Sequence, residues 1–592
     1  MRPAPIVLGA AVVAAAAGVL AAGQAPSPQS FDLLIRHAHV LDGTGNPWFP
    51  ADVGVRDGRI VAVGRLEGAT AAREIDATGK YLAPGFIDIH SHADDGSSPR
   101  GGFRDENPRI RAAPNLVTQG ITTVVVNQDG RSPWPITEQR AQIERNHIGP
   151  NTMLLVGHGE VRSQVMGRDT QRPATDEEIA KMRVLVRQAL SEGAVGMSAG
   201  LEYEPGRWST TAELVELAKE LPAVGGVYIS HERSEGSDPL WYVPSQDGPG
   251  PPTLLDAVRE TIEIGERTGA RVVASHLKAK GANYWGSAAA AVSLIQRARD
   301  RGVDVWADQY PYPTSGTDGS TVLIPSWANR GAGGGRAARG GGGRGRGAGA
   351  GGAGAGAAGA AQATPANPRA DALRATLADP AKAADLRSDI AHEIARRGGA
   401  DNVVVYEYTD QALYGKTLAE IARLWRVDPV EAAIQIQLEG LPNRNGGARM
   451  RGFSMSEDDL ELIAKQPWVA TSTDAGIALL DGPPSTHARF YGSFPRKIRH
   501  YALDRGAITL EAAIRASTSL PAQIMGLTDR GQVRTGMAAD LVIFDLDTVR
   551  DKATFFEPHR YSEGVEYVFV NGIAVVDAST VTWALPGRVL VR

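Results

Sequence analysis

One stretch constrains the fold of this chain more than any other. It runs from Tyr81 to His92, with the sequence YLAPGFIDIHSH. An apolar run of this kind predicts a buried strand. Side chains alternate along a strand, so His90 and His92 point to the same side. Two imidazoles side by side at the carboxyl end of a strand suit a Zn²⁺ site, and the alternative is two polar residues that only end the strand.

Strands alternate with helices through the middle of the chain. The predicted strands are Thr122–Val126, Met153–Val156, Val195–Ser198, Val227–Ser230, Val272–Ser275, Val303–Asp308 and Trp468–Ser472. Predicted helices between them include Asp176–Glu192 and Thr211–Leu221. With the strand that ends at His90 there are about eight strands, the number that a (β/α)₈ barrel needs. The sequence therefore predicts an α/β protein with a TIM-like barrel over residues 83–530.

Short strands with tight turns occupy both ends of the chain. The predicted strands here are Asp52–Arg56, Arg59–Val63, Ala539–Phe544, Val565–Val570 and Ile573–Val576. Asp57-Gly58 and Asn571-Gly572 separate two pairs of them, and both dipeptides are typical of two-residue hairpin turns. Because each end alone is too small to form a core, we expect one small β-sandwich domain built from residues 26–82 and 531–592.

Composition excludes several kinds of site. The chain has 592 residues, enough for at least two domains. It contains no cysteine, which excludes disulfides, thiolate metal ligands and a cysteine nucleophile. A net charge of −5 carries no signature of nucleic-acid binding, so no nucleic-acid partner is expected. No pattern indicates an oligomeric state.

Residues 331–366 differ from the rest of the chain because they are dominated by glycine, alanine and arginine. Such a segment cannot bury apolar surface, so it is predicted to be a disordered insertion in a barrel loop. Binding of its arginines to an anionic surface or to nucleic acid is the alternative.

The first residues resemble a secretory signal peptide, predicted over residues 1–25. Arg2 precedes an apolar segment from Ile6 to Ala22, and small residues follow it. We therefore expect a periplasmic or secreted protein that begins near Gln24. The alternative is an uncleaved membrane anchor, for which the segment is short. No later apolar run is long enough to span a bilayer, so no stable membrane insertion is expected of the mature protein.

Polar residues follow several of the predicted barrel strands. They are His90, Asp129, His158, His231, His276 and Asp474. The carboxyl ends of barrel strands meet at one mouth, so we expect these side chains to lie close together. Singly, His231 or His276 suits a hydrogen-bonded structural histidine better than a ligand. Four histidines in barrel order, joined by two aspartates, can hold one or two divalent metal ions.

Several motifs resemble those of one family. They are Pro84–His92, Gln119–Val126, Gly200–Tyr203, Ser275–Lys278, Asp308–Tyr312, Phe490–Arg496 and Ala538–Val542. From about Phe31 to Arg592, apart from the insertion, the chain is similar to the N-acyl-D-amino-acid deacylases (D-aminoacylases) of the amidohydrolase superfamily. The resemblance implies a zinc-dependent barrel with a flanking β-domain, which hydrolyses the amide bond of small N-acyl-D-amino acids. The preference for D substrates rests on the resemblance alone.

The resemblance also implies roles for individual residues. The implied metal ligands are His90 and His92 at one position and His231 and His276 at the other. The implied catalytic residue is Asp474, which takes a proton from water and delivers it to the leaving nitrogen. The implied substrate contacts are Lys278, Tyr310 and Arg489, with Tyr312 as the alternative tyrosine and a surface salt bridge as the alternative for each cation. His158 is predicted to line the pocket, with a structural role as the alternative.

One position departs from the family's pattern. Some characterised members have a cysteine ligand after the second strand, where this chain has Asp129. A carboxylate can bind or bridge Zn²⁺, so Asp129 is predicted to be a ligand, and the alternative is that it only shapes a turn. The number and identity of the metals stay open. A carboxylated lysine is not expected, because Lys181 and Lys219 both fall in helical patterns.

Two other functions compete with the leading one. Related amidohydrolases act on D-residue dipeptides or on cyclic amides, and no motif here selects the acyl group or the side chain. The non-enzymatic alternative is a metal-binding barrel without catalysis. Asp474 beside four histidines disfavours it, because metal binding alone needs no proton carrier.

Overall fold

The computed structural model describes residues 30–94, 101–316, 321–329, 367–482 and 486–591. The predicted signal peptide and the predicted Gly/Ala/Arg-rich insertion lie outside these residues, so both stay predictions, as do the predicted domain bounds. Among the described residues, no helix combines the length and the apolar character that a membrane span requires.

Eight parallel strands form a barrel in chain order. They are β1 (Phe86–Asp88), β2 (Ile121–Val126), β3 (Asn151–Leu154, continued by Val156–Gly157), β4 (Gly196–Gly200), β5 (Val227–His231), β6 (Arg271–Ala274), β7 (Val305–Gln309) and β8 (Val469–Thr471). The barrel closes just beyond β8 and β1, where the Asp474 amide donates to the His90 carbonyl at 2.9 Å. The His92 amide donates to the Ala475 carbonyl at 2.8 Å. The predicted TIM-like barrel is confirmed.

Helices cover the outside of the barrel. They are Ile136–Asn146, His158–Met166, Asp176–Ser191, Thr211–Ala218, Leu254–Thr268, Ala288–Asp300, Glu457–Ala464, Leu510–Ser517 and Ser519–Met525. Pro108–Arg111, Pro114–Val117 and Arg489–Arg496 are further helices near the barrel mouth, and the last continues as a π-helix, Lys497–Asp504. The helix at Asp176 begins where the sequence predicts it, because Thr175 and Glu178 form a reciprocal capping box.

Both ends of the chain contribute to one nine-stranded sheet. Its strands are Ser30–Val40, Phe49–Arg56, Arg59–Gly64, Thr70–Asp76, Tyr81–Pro84, Leu541–Phe544, Val565–Val570, Ile573–Asp577 and Thr580–Val581. The two ends meet where Tyr81–Pro84 pairs antiparallel with Leu541–Phe544. Along the second strand, Leu541 and Ile543 pack into the sheet's own core, while Val542 and Phe544 pack against the barrel. Two-residue alternation thus lets one strand serve two cores.

The stretch that ends in His92 is divided between the two sheets at Gly85. The Gly85 amide donates to the Asp540 carbonyl of the β-domain, and the next amide, of Phe86, donates to Gly120 beside β2. A Cβ at Gly85 would overlap the side chain of Thr122. Only glycine therefore fits where the chain enters the barrel, and the single strand expected from the sequence is two short ones.

A subdomain that the sequence analysis missed lies between β7 and β8. Its helices are Pro368–Leu377, Pro380–Arg396, Leu418–Trp425 and Pro429–Glu439, and its antiparallel pair is Val403–Glu407 with Arg449–Gly452. Leu386, Val405 and Ile436 belong to a hydrophobic core that is separate from the barrel core. The subdomain stands over one side of the barrel mouth and supplies part of the wall of the cavity described below.

Replacing Gly85 with Ala should destabilise the protein by about 1–3 kcal/mol, because the added methyl group must displace the buried Thr122 side chain. Thermal and urea unfolding measure the change. Gly248→Ala is the matched control, since a Cβ at Gly248 would meet no atom within 4 Å. Equal stability of the two variants would contradict the tight crossing at Gly85.

Candidate metal centre

The predicted site residues, except His158, converge at the carboxyl-terminal mouth of the barrel. His90 and His92 follow β1, Asp129 follows β2, His231 ends β5, His276 follows β6, and Asp474 follows β8. The strand ends aim these side chains inward because consecutive barrel strands run parallel and finish at the same rim. The convergence expected from the sequence is thus present in the structure.

The donor atoms of five residues surround one small volume. His231 Nδ1 lies 2.9 Å from His276 Nε2 and 3.6 Å from Asp129 Oδ1. His90 Nε2 and His92 Nε2 each lie 3.6 Å from an oxygen of the same carboxylate. Ligand atoms of a tetrahedral zinc ion, with Zn–N near 2.0–2.1 Å, are roughly 3.3 Å apart. The observed separations therefore suit a zinc ion between the donors.

Asp129 belongs to two sets of three donors. One set is His90, His92 and Asp129, and the other is Asp129, His231 and His276; within each set the donor atoms lie within 4.8 Å of one another. A shared carboxylate can bridge two divalent ions or serve one. The arrangement accommodates both occupancies left open by the sequence.

Two bare atoms also fit a bound cation. Among the described residues, His90 Nε2 and Asp129 Oδ1 are buried and have no hydrogen-bond partner. Buried polar atoms are almost always partnered in native proteins. These two face each other across 3.6 Å, so a metal ligated by both would satisfy them together.

The charges of the centre reinforce each other. Burial alone would raise the pKa of Asp129, but the His231, His92 and His90 imidazoles outweigh it and hold that pKa below its usual range. Burial likewise opposes protonation of His231, yet the Asp129 carboxylate raises its pKa to about 10. Metal ligands must be deprotonated, so a divalent cation competes with that proton for the same place.

Three site residues have left-handed backbone conformations. The φ angles of Asp129, His276 and Asp474 are 58°, 36° and 49°. A non-glycine residue in this region costs of order 1–3 kcal/mol. The surrounding hydrogen bonds and packing hold these residues there, and the result is that all three side chains turn into the barrel mouth.

The predicted substrate contacts line the same cavity. Arg489 Nη1 lies 2.8 Å from Asp474 Oδ2, and the guanidinium carbon lies 4.6 Å from the centre of the Tyr310 ring. Lys278 is ion-paired with Glu235, and its Nζ lies 5.4 Å from the same ring centre. Both cations are buried, so neither forms the surface salt bridge that was the alternative.

Tyr310, and not Tyr312, has the free hydroxyl. Among the described residues, the buried hydroxyl of Tyr310 has no hydrogen-bond partner. The hydroxyl of Tyr312 donates to Asp551 at 3.1 Å. Tyr310 therefore stays the predicted substrate contact, and the Tyr312 hydroxyl is already occupied.

A cavity of about 1330 Å³ opens above the donors. The loops at the strand ends form its floor, and Trp327 and His392 are among the wall residues supplied by the segment between β7 and β8. Pockets for small molecules are typically ~300–1,000 Å³. The volume is thus ample for a small-molecule substrate.

His158 does not join the group, which corrects its predicted place in the pocket. Its Nε2 lies 2.9 Å from Glu213 Oε1, and Arg162 Nη1 donates to the other oxygen of that carboxylate at 2.5 Å. His158 is fully buried and is not among the residues that line the cavity. The helix His158–Met166 starts directly at the end of β3 and carries the side chain away from the mouth. His158 takes the structural role.

Sequence reasoning missed four polar residues that support the centre. They are Glu202, Glu235, Ser275 and Asp308. Glu202 Oε2 lies 3.4 Å from His231 Nε2, and Glu235 Oε1 lies 3.3 Å from His276 Nδ1. Their positions in or just after barrel strands were a usable signal. Three of the four also lie in the motifs Gly200–Tyr203, Ser275–Lys278 and Asp308–Tyr312, but polar residues are common at such positions and the motifs do not show which of them contacts a ligand.

Comparison with known proteins identifies the family. Residues 73–239 and 357–576 match the model of the amidohydrolase family. An N-acyl-D-glutamate deacylase from Alcaligenes xylosoxydans xylosoxydans is 32% identical over 586 residues, covering 95% of this chain and 97% of that protein. The chain belongs to the amidohydrolase family. A D-aminoacylase from the same organism is 31% identical over 591 residues, covering 95% of this chain and 98% of the relative.

Solved structures of other amidohydrolases have the same fold. An N-acyl-D-glutamate deacylase from Bordetella bronchiseptica, in complex with zinc and a phosphonate mimic of the tetrahedral intermediate, matches with a TM-score of 0.67 at 30% identity. The match covers 95% of this chain and 100% of that one. A D-aminoacylase with a binuclear metal centre matches with the same score at 29% identity. In this amidohydrolase the same barrel mouth carries a donor set that fits a zinc ion.

Replacing His231 or His276 with Ala should remove bound metal, because each loses one nitrogen from a set of three donors. Metal analysis of purified protein measures the loss. His37→Ala is the control, since the His37 side chain is 62% exposed in the β-domain. Unchanged metal content in the His231 and His276 variants would exclude both residues as ligands.

Proposed function

We propose that this amidohydrolase cleaves the amide bond of N-acyl-D-amino acids to give a carboxylate and a free D-amino acid. The observation that carries the proposal is one cavity that holds both halves of the required chemistry. Asp474 lies beside the metal-binding histidines, and Arg489, Lys278 and Tyr310 lie beside Asp474. The names of the two relatives, an N-acyl-D-glutamate deacylase and a D-aminoacylase, support the substrate class.

The histidines and Asp129 would hold the metal that the reaction needs. A bound zinc ion supplies Lewis acidity, which polarises a carbonyl and eases the ionisation of water. The protein keeps this centre buried at the base of the cavity, where His90 is fully buried and His231 and His276 are nearly so. Low exposure limits competing solvent and strengthens each electrostatic contact.

Asp474 is the proton carrier of the proposed reaction. Burial favours its neutral form, but the Arg489 guanidinium outweighs burial and holds its pKa well below the usual range. The carboxylate is therefore ionised at neutral pH and can accept a proton from the attacking water. It then delivers the proton to the leaving nitrogen, so one group acts first as base and then as acid. Its Oδ1 lies 3.2 Å from His92 Nε2, so the carboxylate stands directly beside the proposed metal position.

Arg489, Lys278 and Tyr310 form the subsite for the substrate's α-carboxylate. A guanidinium binds a carboxylate through two parallel hydrogen bonds, and an ammonium adds a third donor. Each cation now pairs with a protein carboxylate, Arg489 with Asp474 and Lys278 with Glu235. A substrate carboxylate would exchange with these partners. This subsite favours a linear amide with a free α-carboxylate over a cyclic amide that lacks a carboxylate.

Replacing Asp474 with Asn should lower kcat by about 10²–10⁴-fold, because the amide cannot accept the proton. Steady-state assays on N-acetyl-D-amino acids measure the loss, with metal analysis in parallel. We expect metal content close to that of the unchanged protein, since five other donors remain. A variant that kept near-normal kcat would remove Asp474 from the proton-transfer role.

Replacing Lys278 with Met should lower kcat/KM on an N-acetyl-D-amino acid by roughly 10–100-fold, the worth of one charge-assisted hydrogen bond. The matched substrate is the same compound with a carboxamide in place of the carboxylate, on which the variant and the parent should differ little. The parent should also prefer the D over the L enantiomer. Equal losses on both substrates would contradict the carboxylate subsite, and no turnover of any N-acyl-D-amino acid would contradict the proposed activity.

A further inference from the structure

We propose that Asp308 is a positioning residue that acts through Ser275 to fix which nitrogen of His90 faces the metal. His90 Nδ1 lies 2.5 Å from Ser275 Oγ, and Ser275 Oγ lies 2.6 Å from Asp308 Oδ2. All three side chains are buried, with at most 1% of each residue exposed. The three groups form a short hydrogen-bonded chain from the end of β7 to the first histidine of the centre.

The direction of this chain follows from its last member. An ionised carboxylate can only accept, so the Ser275 hydroxyl donates to Asp308. Its oxygen is then available to accept from His90 Nδ1–H. A neutral imidazole carries one proton, and with that proton on Nδ1 the other nitrogen, Nε2, is bare. That nitrogen has no hydrogen-bond partner among the described residues and faces Asp129 Oδ1 at 3.6 Å.

Asp308 connects more than one member of the centre. Its second oxygen, Oδ1, accepts from the His276 amide at 3.0 Å and from the Ser472 hydroxyl at 2.6 Å. Ser472 lies just after β8, on the segment that leads to Asp474. Three donors around one buried carboxylate compensate its lost hydration. The Asp308 carboxylate therefore fixes the backbone of His276 directly and, through Ser275, the position of the proton on His90.

Ser275 is the one member of this hydrogen-bonded chain that can either donate to His90 or accept from it. Glu202 and Glu235 approach His231 and His276 directly, and a carboxylate there can only accept. A serine hydroxyl can donate or accept, so it does not by itself fix the tautomer of His90. The direction is set by Asp308, whose carboxylate accepts the hydrogen bond that the hydroxyl donates. Loss of a residue that hydrogen-bonds to a metal ligand typically lowers metal affinity or activity by ~10–100-fold.

The variant Asp308→Asn reverses the chain while it keeps the size of the side chain. The His276 amide can only donate, so the oxygen of Asn occupies the place of Oδ1 and its NH₂ group faces Ser275. That NH₂ group donates to Ser275 Oγ, whose hydroxyl then turns toward His90 Nδ1. The proton of His90 is then favoured on Nε2, where a metal must displace it before that nitrogen can bind.

The test measures zinc affinity of the full-length chain without substrate, by competition with a chromogenic chelator. Asp308→Asn should weaken zinc binding by about 10–100-fold. Ser275→Ala should weaken it less, because His90 can then adopt either tautomer. The double variant should bind zinc more tightly than Asp308→Asn alone, because the hydroxyl that enforces the wrong tautomer is gone.

Asp540→Asn is the control for the loss of any buried carboxylate. Asp540 is buried and pairs with Arg530 where the β-domain meets the barrel. We expect this variant to lower the melting temperature and to leave zinc affinity unchanged. Unchanged zinc affinity in Asp308→Asn would overturn the proposal. So would a double variant that binds zinc no more tightly than Asp308→Asn alone, since a merely structural role predicts no recovery of affinity when the hydroxyl is also removed.

The inference rests on the proposed function only through the metal centre. The zinc titration contains no substrate, so its outcome does not depend on which amide is cleaved. Failure of the parent enzyme on every N-acyl-D-amino acid would overturn the proposed activity and leave the role of Asp308 to the titration. Conversely, unchanged zinc affinity in Asp308→Asn, together with normal deacylation by the parent enzyme, would overturn the role of Asp308 and leave the proposed activity intact.

Discussion

The closure of the barrel between β8 and β1 is the constraint on which the site depends. Hydrogen bonds from the Asp474 amide to the His90 carbonyl and from the His92 amide to the Ala475 carbonyl join the first and last strands. Without that contact the proton carrier and the His-x-His pair would lie on separate edges of an open sheet. Closing the barrel therefore also completes the group of metal donors and places Asp474 beside it.

Buried carboxylates organise the centre at two levels. Asp129 stands among the imidazoles and is shared by both sets of donors. Behind the histidines, Glu202, Glu235 and Asp308 hold the other sides of the rings, directly or through Ser275. The hydrogen bond made by one imidazole nitrogen sets whether the other carries a proton or can bind a metal. The outer carboxylates therefore decide which atoms are available to a metal.

Much of this arrangement could be predicted from the sequence, for identifiable physical reasons. Parallel barrel strands are buried on both faces, so they appear as continuous apolar runs, and Val227–Ser230 was placed to within one residue of β5. Asp57-Gly58 and Asn571-Gly572 lie at positive φ, as two-residue hairpins require. Because the carboxyl ends of barrel strands meet at one mouth, the histidines and aspartates that follow them could be predicted to lie close together.

The failures have equally physical causes. His158 follows a strand like the ligands do, but a helix begins there and turns the side chain toward Glu213. The division at Gly85 was invisible because both halves of the apolar run are buried, in different sheets. The subdomain between β7 and β8 was not predicted because its helices and antiparallel strand pair interrupt the alternation of parallel strands and helices on which the barrel prediction depends. Asp308 lies in the motif Asp308–Tyr312, but the motif does not show its role, which arises from three tertiary contacts.

Anomalous diffraction from crystals of the zinc-loaded protein is the most direct measurement of the central claim. The account predicts a zinc peak at the barrel mouth about 2.0–2.2 Å from His231 Nδ1, His276 Nε2 and an Asp129 oxygen, or from the His90 and His92 nitrogens and Asp129. A fully occupied zinc ion bound elsewhere on the protein, with none among these donors, would contradict it.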